Sequence, residues 1–171
     1  MLRSCEAKEG EKLMQGIFGP SFDYYAIRER RRELVRERLA QYGLEKKPGV
    51  EETLRFLRAK GIKTAVATAT ALDITKSHLT TIGVCDLFDS IVSAKNVAHG
   101  KPEPDVYLYA CEQIGERPQD CMAVEDSPNG IMAAYRAGLR TVMVPDLTQP
   151  DEELTKYLYA CVNSLSDLCE L

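Results

Sequence analysis

Two adjacent carboxylates, Glu125 and Asp126, come directly after the short apolar run of residues 121–124. The run predicts a buried strand, and a helical pattern over residues 131–137 follows it. Ligands of open parallel sheets bind beyond the carboxyl ends of the strands, and paired carboxylates there can hold a hard cation such as Mg²⁺. The alternative interpretation is a helix N-cap at Asp126 or Ser127, with Glu125 an ordinary surface acid. The two interpretations are compatible, and this stretch alone leaves both open.

A second group of polar residues follows the strand predicted at residues 62–67. Thr68 and Thr70, with Ala69 between them, stand where a helix is predicted to begin. A hydroxyl beside the free backbone N–H groups of a helix N-terminus is suited to bind an anion. Thr70 and Asp73 also have a spacing that resembles a capping box. The alternative is therefore that Thr70 is only an N-cap and Thr68 only a strand residue.

Lys101 lies in the third such stretch, Gly-Lys-Pro-Glu-Pro-Asp at residues 100–105. The two prolines stiffen the backbone around the lysine and so fix the direction of its ammonium group. Lysine is a compact point charge that suits phosphate, although most lysines are only solvated. We interpret His99 as an ordinary loop histidine and His78 as a helix residue, neither of them catalytic.

Strand and helix signals alternate from residue 50 onward, with short connections between them. Strands are predicted at residues 62–67, 90–93, 121–124 and 141–144, and helices at residues 50–60, 70–83, 104–114, 131–137 and 151–159. This alternation predicts an α/β fold, with a parallel sheet covered by helices on both faces. Because parallel strands end at one edge, the hydroxyls, the lysine and the paired acids are predicted to converge. No G-x-G-x-x-G or G-x-x-x-x-G-K-[ST] motif occurs, which disfavours a dinucleotide or P-loop site.

The first 46 residues have a different pattern. Residues 22–41 predict a helix, in which six arginines within residues 28–38 are interleaved with glutamates. The glutamates favour a solvated, salt-bridged face over an anion-binding face. Glycines and a proline argue against a long helix within residues 1–20, and Lys-Lys-Pro-Gly at residues 46–49 predicts a linker.

Composition and charge argue against several classes of function. The chain has 171 residues, a net charge of −4, 44% hydrophobic residues and 28% charged residues, values typical of a globular domain. We expect no nucleic-acid partner because the net charge is negative, and no membrane partner because no apolar run is long enough to cross a bilayer. Six cysteines without a C-x-x-C pair or zinc-like spacing predict a reduced, cytoplasmic protein.

Three long stretches, residues 47–70, 88–110 and 123–146, resemble the haloacid dehalogenase-like (HAD) hydrolase superfamily. The similarity is greatest to the branch that contains β-phosphoglucomutase and sugar-phosphate phosphatases. The resemblance implies a Rossmannoid, three-layer parallel sheet with a helical cap that closes over the site and selects the substrate. It also implies a Mg²⁺-dependent phosphatase or phosphomutase that acts on a small phosphorylated metabolite, with a sugar phosphate as the expected substrate.

The resemblance assigns roles to individual residues. Thr68 and Lys101 are the expected catalytic residues: Thr68 binds the transferring phosphoryl group, and Lys101 neutralises its charge and orients the nucleophile. Glu125 and Asp126 are the expected ligands of Mg²⁺. The expected phosphate- and substrate-binding residues are Thr68, Ala69, Thr70, Lys101 and Asn129. Haloacid dehalogenation itself needs no magnesium and would leave the paired acids unexplained.

One motif of the family does not occur in these 171 residues. Family members carry an Asp-x-Asp motif after their first strand, whose aspartates are the nucleophile and the general acid/base; the present sequence contains no Asp-x-Asp. We therefore expect residues 1–46 to be a partial helical cap and residues 47–171 a core that lacks its first, central strand. This predicts an N-terminally truncated chain that is inactive alone. The alternatives are a non-catalytic protein that binds phosphate or a partner, and a subunit completed by self-association or by a segment that fills the missing strand.

Overall fold

The computed structural model describes residues 7–171, in which helices and strands alternate as the sequence predicts. The helices are α1 (Ala7–Phe18), α2 (Tyr24–Tyr42), α3 (Val50–Ala59), α4 (Leu72–Thr81), α5 (Asp105–Ile114), α6 (Pro128–Arg136) and α7 (Glu152–Thr155). The strands are β1 (Ala65–Thr68), β2 (Ser90–Ser93), β3 (Met122–Glu125), β4 (Arg140–Met143) and β5 (Ala160–Cys161). A 3-10 helix, Leu165–Glu170, lies near the end of the chain.

The strands form two separate parallel sheets. In the first sheet β1 pairs with β2, in a register that places Thr68 opposite Ser93. In the second sheet β3 pairs with β4 and β4 pairs with β5. Within residues 7–171 no strand joins β1 to β3, so the strand order is interrupted between them. The predicted α/β class with parallel strands is confirmed, and the interruption agrees with the expectation that a central strand is missing.

The main apolar core lies between the strands and the helices α5 and α6. Val106 and Ala110 of α5 are buried where that helix packs against β1 and β2. Ala133 and Ala134 of α6 are buried where that helix packs against β3 and β4. Full burial of a valine side chain stabilises a fold by roughly 1.5–3 kcal/mol. This packing also positions the loops that lead into α5 and α6, where the candidate site residues lie.

The N-terminal helices α1 and α2 pack against each other. Gly10 permits this contact, because a Cβ atom at that position would overlap the side chain of Tyr24. The expectation that no long helix forms within residues 1–20 is wrong, since α1 has 12 residues and continues through Gly16. A helix tolerates one glycine at a cost of roughly 1 kcal/mol. The helix ends at Phe18, just before Gly19, whose φ is 95°.

The charged face of α2 is salt-bridged, as the sequence predicts. Arg30 pairs with Glu33 at 3.0 Å, and Arg32 pairs with Glu29 at 2.9 Å. No residue of α2 is buried. Pairs of this kind, between exposed side chains, contribute little to stability because water and salt screen them. The helix begins at Tyr24, two residues later than predicted, with Asp23 as its N-cap.

The start of β1 and the end of the last helix are among the boundaries that differ from the predicted ones. β1 begins at Ala65 rather than at residue 62, because the backbone before it bonds elsewhere: the Ile62 N–H donates to the Leu57 carbonyl, and the Thr64 N–H donates to the Asp89 carboxylate at 2.7 Å. The last helix is also short, since α7 covers Glu152–Thr155 and not residues 151–159.

No helix in residues 7–171 is long and apolar enough to cross a membrane. The cysteines that the structure describes are free thiols, at positions Cys85, Cys111, Cys121, Cys161 and Cys169. Burial, together with a hydrogen bond to the neighbouring Cys121, raises the pKa of the Cys111 thiol to about 12. A thiol with such a pKa is a poor nucleophile at neutral pH.

Candidate functional site

The carboxyl ends of β1 and β3 open into one cavity of about 1400 Å³, which α2 borders on another side. Among the residues predicted to form the site, Thr68, Ala69, Thr70, Lys101, Glu125 and Asp126 all line this cavity. Asn129, the second residue of α6, is not among the lining residues. The predicted convergence of hydroxyl, lysine and paired acids is therefore present in the structure.

Lys101 and Glu125 form a buried ion pair at the centre of this group. The Lys101 Nζ lies 2.5 Å from the Glu125 Oε1, and the two side chains are only 6% and 9% exposed. Nζ also donates to the Ala67 carbonyl oxygen at 3.1 Å and to the Tyr107 hydroxyl at 3.3 Å. An ammonium group has three N–H donors, so these three partners use its full donor capacity.

Tyr107 completes the cluster from the first turn of α5. Its hydroxyl donates a short hydrogen bond to the Glu125 Oε1, and the Lys101 Nζ lies 4.7 Å from its ring centroid. Burial raises the pKa of Tyr107 well above its usual value, and the adjacent Glu125 carboxylate raises it further. The phenol therefore stays protonated at neutral pH and serves as a donor to Glu125.

The second carboxylate oxygen of Glu125 faces the N-terminus of α6. Its Oε2 accepts hydrogen bonds from the Ser127 hydroxyl at 3.2 Å and from the Asp126 N–H at 3.3 Å. Ser127 is the N-cap of α6, since its Oγ accepts a bond from the Gly130 N–H at 3.2 Å. The cap predicted for this stretch is therefore Ser127, and it coexists with the site. The idea that Glu125 is an ordinary surface acid is wrong.

Gly130 lets α6 approach the Glu125 carboxylate closely. A Cβ atom at Gly130 would overlap all three terminal atoms of that carboxyl group. The contact brings the carboxylate against the positive end of the helix dipole, which favours an anion.

The charge of Glu125 is set by opposing effects. Burial alone would raise its pKa, but the positive charge of Lys101 and hydrogen bonds from Lys101, Tyr107 and Ser127 outweigh it. The pKa of Glu125 therefore lies below its ordinary value. Glu125 is therefore an ionised carboxylate at neutral pH.

The loop between β1 and α4 is held by Thr68 and Ser93. The Thr68 Oγ1 accepts a bond from the Thr70 N–H at 3.0 Å, and the Ser93 Oγ donates to the Thr70 carbonyl at 2.7 Å. The capping-box interpretation of Thr70 is wrong, because the N-cap of α4 is Ala71, which has no side-chain cap bond. An N-terminus without a side-chain cap presents its first N–H groups to a ligand or to water.

The loop that carries Lys101 is attached to α6 from the outside. Arg136 donates to the Pro102 carbonyl at 3.0 Å and to the Glu103 carboxylate at 2.8 Å. The Lys101–Pro102 peptide bond is cis. His99 lies on the surface with its Nδ1 3.1 Å from the Asp105 carboxylate, which fits its interpretation as an ordinary loop histidine.

Three residues of the site were not found by sequence reasoning: Tyr107, Ser93 and Gly130. Ser93 has a detectable signal, because it ends a strand at the same sheet edge as Thr68. Tyr107 and Gly130 have none, since an apolar helix pattern accounts for the one and a turn pattern for the other. Tyr107 and Gly130 both act through contacts with Glu125. Glu125 lies 18 residues from Tyr107 along the chain, so no local pattern indicates that contact.

The donor chemistry of Glu125 and Asp126 fits part of a Mg²⁺ site. Magnesium is commonly held by one or two carboxylates, with waters and phosphate oxygens completing six ligands. Both carboxylates line the cavity, although Glu125 is already engaged by Lys101. Within residues 7–171 there is no cluster of three or more histidine, cysteine, aspartate or glutamate side chains arranged to hold a metal.

Parallel strands that deliver a lysine and two acids to one cavity define an open-sheet α/β protein that binds ligands at its strand ends. A family model described as haloacid dehalogenase-like hydrolase matches residues 5–144. The chain belongs to this family, as the sequence motifs predict.

Two curated relatives are phosphatases by name. The chain is 36% identical over 156 residues to the "Probable pseudouridine-5'-phosphatase" of Drosophila melanogaster, a match that covers 86% of this chain and 64% of that protein. It is 36% identical over 98 residues to hexitol phosphatase B of Escherichia coli strain K12, which covers 57% of this chain and 44% of that protein. The chain thus spans less than two thirds of the length of either relative.

The fold is similar to that of a solved β-phosphoglucomutase from Clostridium difficile. The TM-score is 0.76 at 23% sequence identity, and the match covers 98% of this chain and 74% of the other. At this identity the similarity shows the fold alone.

We expect Gly130→Ala to lower the free energy of unfolding by roughly 1–3 kcal/mol, as overpacking does, because the added methyl group overlaps the Glu125 carboxylate. The matched control is Gly16→Ala in α1, where nothing lies within 4 Å of the added Cβ. This control should be neutral or stabilising by up to about 1 kcal/mol, since alanine favours helices. Urea unfolding followed by circular dichroism measures both, and equal effects of the two changes would contradict the close contact.

We expect the ion pair to make stability depend on acid pH. Because the pKa of Glu125 is lowered in the folded chain, its contribution is present above its unfolded value and is lost as the pH falls through the folded one. Urea midpoints between about pH 7 and pH 3 should therefore fall less steeply in Glu125→Gln than in the wild type. Glu112→Gln, at an exposed position of α5, is the control and should keep the wild-type slope. A wild-type slope in Glu125→Gln would exclude this assignment.

Proposed function

We propose that the cavity is a phosphoryl-transfer site for a small phosphorylated metabolite, with a sugar phosphate as the substrate class. The observation that carries this proposal is a lysine buried beside a carboxylate at the edge where Thr68 and the N-terminus of α4 also lie. A hydroxyl, the backbone N–H groups of a helix N-terminus and a lysine are together suited to bind a phosphate group. The names of the relatives, both phosphatases of phosphorylated compounds, support the same substrate class.

The proposed roles follow from where each group lies. Thr68, the N–H group of Ala69 and the hydroxyl of Thr70 bind phosphoryl oxygens, since the Thr70 N–H already donates to the Thr68 Oγ1. Lys101 neutralises the charge of the phosphate, and Tyr107 keeps the Lys101–Glu125 pair in place through its hydroxyl.

We further propose that Asp126, with Glu125, holds Mg²⁺. When bound, such a cation supplies positive charge to a phosphate oxygen and neutralises charge that develops during transfer. Lys101 has no N–H left for a phosphate while it bonds Ala67, Tyr107 and Glu125. A phosphate that draws Lys101 away from Glu125 leaves a buried carboxylate without its counter-charge, which costs roughly 3–5 kcal/mol. A cation beside Glu125 removes that cost, so we expect Mg²⁺ and phosphate to strengthen each other's binding.

The N-terminal helices take the role of a partial cap in this proposal, with residues 1–46 as the cap and residues 47–171 as the core. Side chains of α2 line the cavity opposite the strand ends, among them Ile27, Arg28, Arg31 and Val35. Such a position allows α2 to contact the part of a substrate that lies beyond the phosphate. We also place the protein in a reducing compartment such as the cytoplasm, which the free thiols of the described cysteines support.

Because the 171 residues contain no Asp-x-Asp, we propose that this chain alone binds phosphate without turnover. The family's nucleophile and its general acid/base would have no counterpart in the site. Steady release of phosphate from sugar phosphates by the purified chain, lost in Lys101→Ala, would contradict this.

We expect loss of the Lys101 charge to weaken phosphate binding at least about tenfold, or roughly 1.4 kcal/mol. The double variant Lys101→Met with Glu125→Gln is preferable to a single change, since it leaves no buried unpaired charge. Isothermal titration with inorganic phosphate measures the affinity. The control is Lys76→Met on the exposed face of α4, which should bind as the wild type does. Wild-type affinity in the double variant would place the anion elsewhere.

We expect Mg²⁺ to increase the affinity for phosphate in the wild-type chain, and Asp126→Asn to remove that increase. The physical reason is the loss of one carboxylate ligand with little change in side-chain shape. The same titration, with and without Mg²⁺ at constant ionic strength, measures the effect. Asp120→Asn, at an exposed acid outside the cavity, is the control. An unchanged magnesium effect in Asp126→Asn would exclude Asp126 as a ligand.

A further inference from the structure

Two thiols, those of Cys111 and Cys121, form a pair inside the protein. Cys111 lies in the last turn of α5 and is 3% exposed, whereas Cys121 directly precedes β3 and is only partly buried. Their side chains share a hydrogen bond, and Cys121 packs against the apolar core cluster that contains Cys111. The two sulfur atoms are therefore neighbours in the folded chain, as a disulfide requires. We call these two residues the thiol pair.

Backbone hydrogen bonds hold both members of the thiol pair. The Cys111 carbonyl accepts a bond from the Glu116 N–H at 3.0 Å, just after the end of α5. Cys121 has an extended backbone, with φ −102° and ψ 153°. Its N–H donates to the Pro118 carbonyl at 3.1 Å, and its carbonyl accepts from the Arg140 N–H at 3.1 Å. The thiols thus extend from two anchored backbones, which keeps them next to each other.

The thiol pair joins the same two surfaces that meet at the candidate site. Tyr107 and Cys111 are four residues apart, so they lie on one face of α5, and both are buried. Alternate residues of an extended chain share a face, which places Cys121, Ala123 and Glu125 on one side of β3. The Tyr107–Glu125 hydrogen bond therefore connects α5 and β3 at the site, and the thiol pair connects them at the opposite end.

We propose that Cys111 and Cys121 are a site of reversible oxidation, at which hydrogen peroxide converts the two thiols into a disulfide that fastens α5 to β3. Cys121 reacts first, because it is the more exposed of the two, and Cys111 completes the bond. In a reducing compartment such a disulfide is transient and typical of redox sensing. This oxidation is independent of the proposed phosphate chemistry.

The oxidation takes two steps. In the first, the Cys121 sulfur attacks a peroxide oxygen; an S–O bond forms, the O–O bond breaks, and the thiol proton leaves with the other oxygen as water. In the second, the Cys111 sulfur attacks the resulting sulfenic acid of Cys121; an S–S bond forms, the S–O bond breaks, and a second water leaves with the Cys111 proton. The two sulfurs lose two electrons in total, and the peroxide accepts them.

The surroundings of each thiol support this order. Burial raises the pKa of Cys111 to about 12, so Cys111 is a poor nucleophile toward a peroxide in solution. Its attack on Cys121 needs no encounter in solution, because the two side chains are already in contact.

The test oxidises the 171-residue chain with hydrogen peroxide, blocks the remaining thiols with iodoacetamide and digests with a glutamate-specific protease. Cleavage after Glu112 and Glu116 separates the two cysteines, so the disulfide should link the peptides 104–112 and 117–125. Dithiothreitol should separate them again. Met122 lies in the second peptide and is 39% exposed, so its sulfoxide reports unspecific oxidation. A link to any other cysteine, or no link before Met122 is oxidised, would overturn the proposal.

Variants test the order of the two steps. In Cys111→Ala, dimedone, a reagent for sulfenic acids, should label Cys121, because no neighbouring thiol is left to displace the hydroxyl group. In Cys121→Ala it should not label Cys111. The control is Cys161→Ala, at an exposed thiol, which should form the same linked peptides as the wild type. Labelling of Cys111, or loss of the link in Cys161→Ala, would contradict the proposal. If either core variant does not fold, the linked peptides of the wild type decide alone.

Thermal unfolding shows whether the disulfide fits the folded chain. A bond that closes residues 111–121 into a loop restricts the unfolded chain, so the oxidised chain should unfold roughly 4–10 °C higher than the reduced one. Dithiothreitol should restore the lower midpoint, and Cys121→Ala should show no such rise after oxidation. An unchanged or lower midpoint in the oxidised wild type would mean that the bond requires a distorted chain, and the proposal would fail.

Discussion

The buried Lys101 ammonium group is the interaction on which the rest of the site depends, because it connects the two sheets. It donates to the Ala67 carbonyl of β1 and to the Glu125 carboxylate of β3. Within residues 7–171 these two strands are not hydrogen-bonded to each other. The Lys101 side chain therefore connects them at a place where a continuous sheet would have backbone hydrogen bonds. Removal of two charges from water costs several kcal/mol for each ion, and close pairing with further hydrogen bonds is needed to offset that cost. We interpret the ion pair as an interaction that positions the strand ends of the site and contributes little net stability.

The surroundings of the pair follow from this requirement. Tyr107, Ser127 and the N-terminus of α6 all direct donors or positive dipole at Glu125, and Gly130 leaves room for that approach. Each contact compensates part of the desolvation of the carboxylate, and together they lower its pKa in spite of burial. Asp126, the next residue along the chain, lines the same cavity as Glu125.

Much of this arrangement is predictable from the sequence, and the limits have physical causes. Polar residues directly after apolar runs identify the strand ends, and the topology of parallel strands then brings Thr68, Lys101 and Glu125 to one edge. The ion pair itself is not predictable, since it depends on side-chain packing between segments 24 residues apart. The capping-box interpretation of Thr70 failed because tertiary bonds prevailed over a local one: Ser93 of the neighbouring strand holds the Thr70 carbonyl. Local patterns predict elements well, but they do not predict which partner a polar group takes when several are near.

Lys101 also helps to hold the distance between the two sheets at the site. In a continuous sheet, backbone bonds along the full length of each strand fix the distance between neighbours. Here the carboxyl ends of β1 and β3 are tied by one side chain, with Nζ 3.1 Å from the Ala67 oxygen and 2.5 Å from the Glu125 oxygen. The helix α5 packs on β1, β2 and α6, and so it also connects the two sheets. A phosphate that draws Lys101 away from Glu125 would therefore also remove a connection between the two sheets.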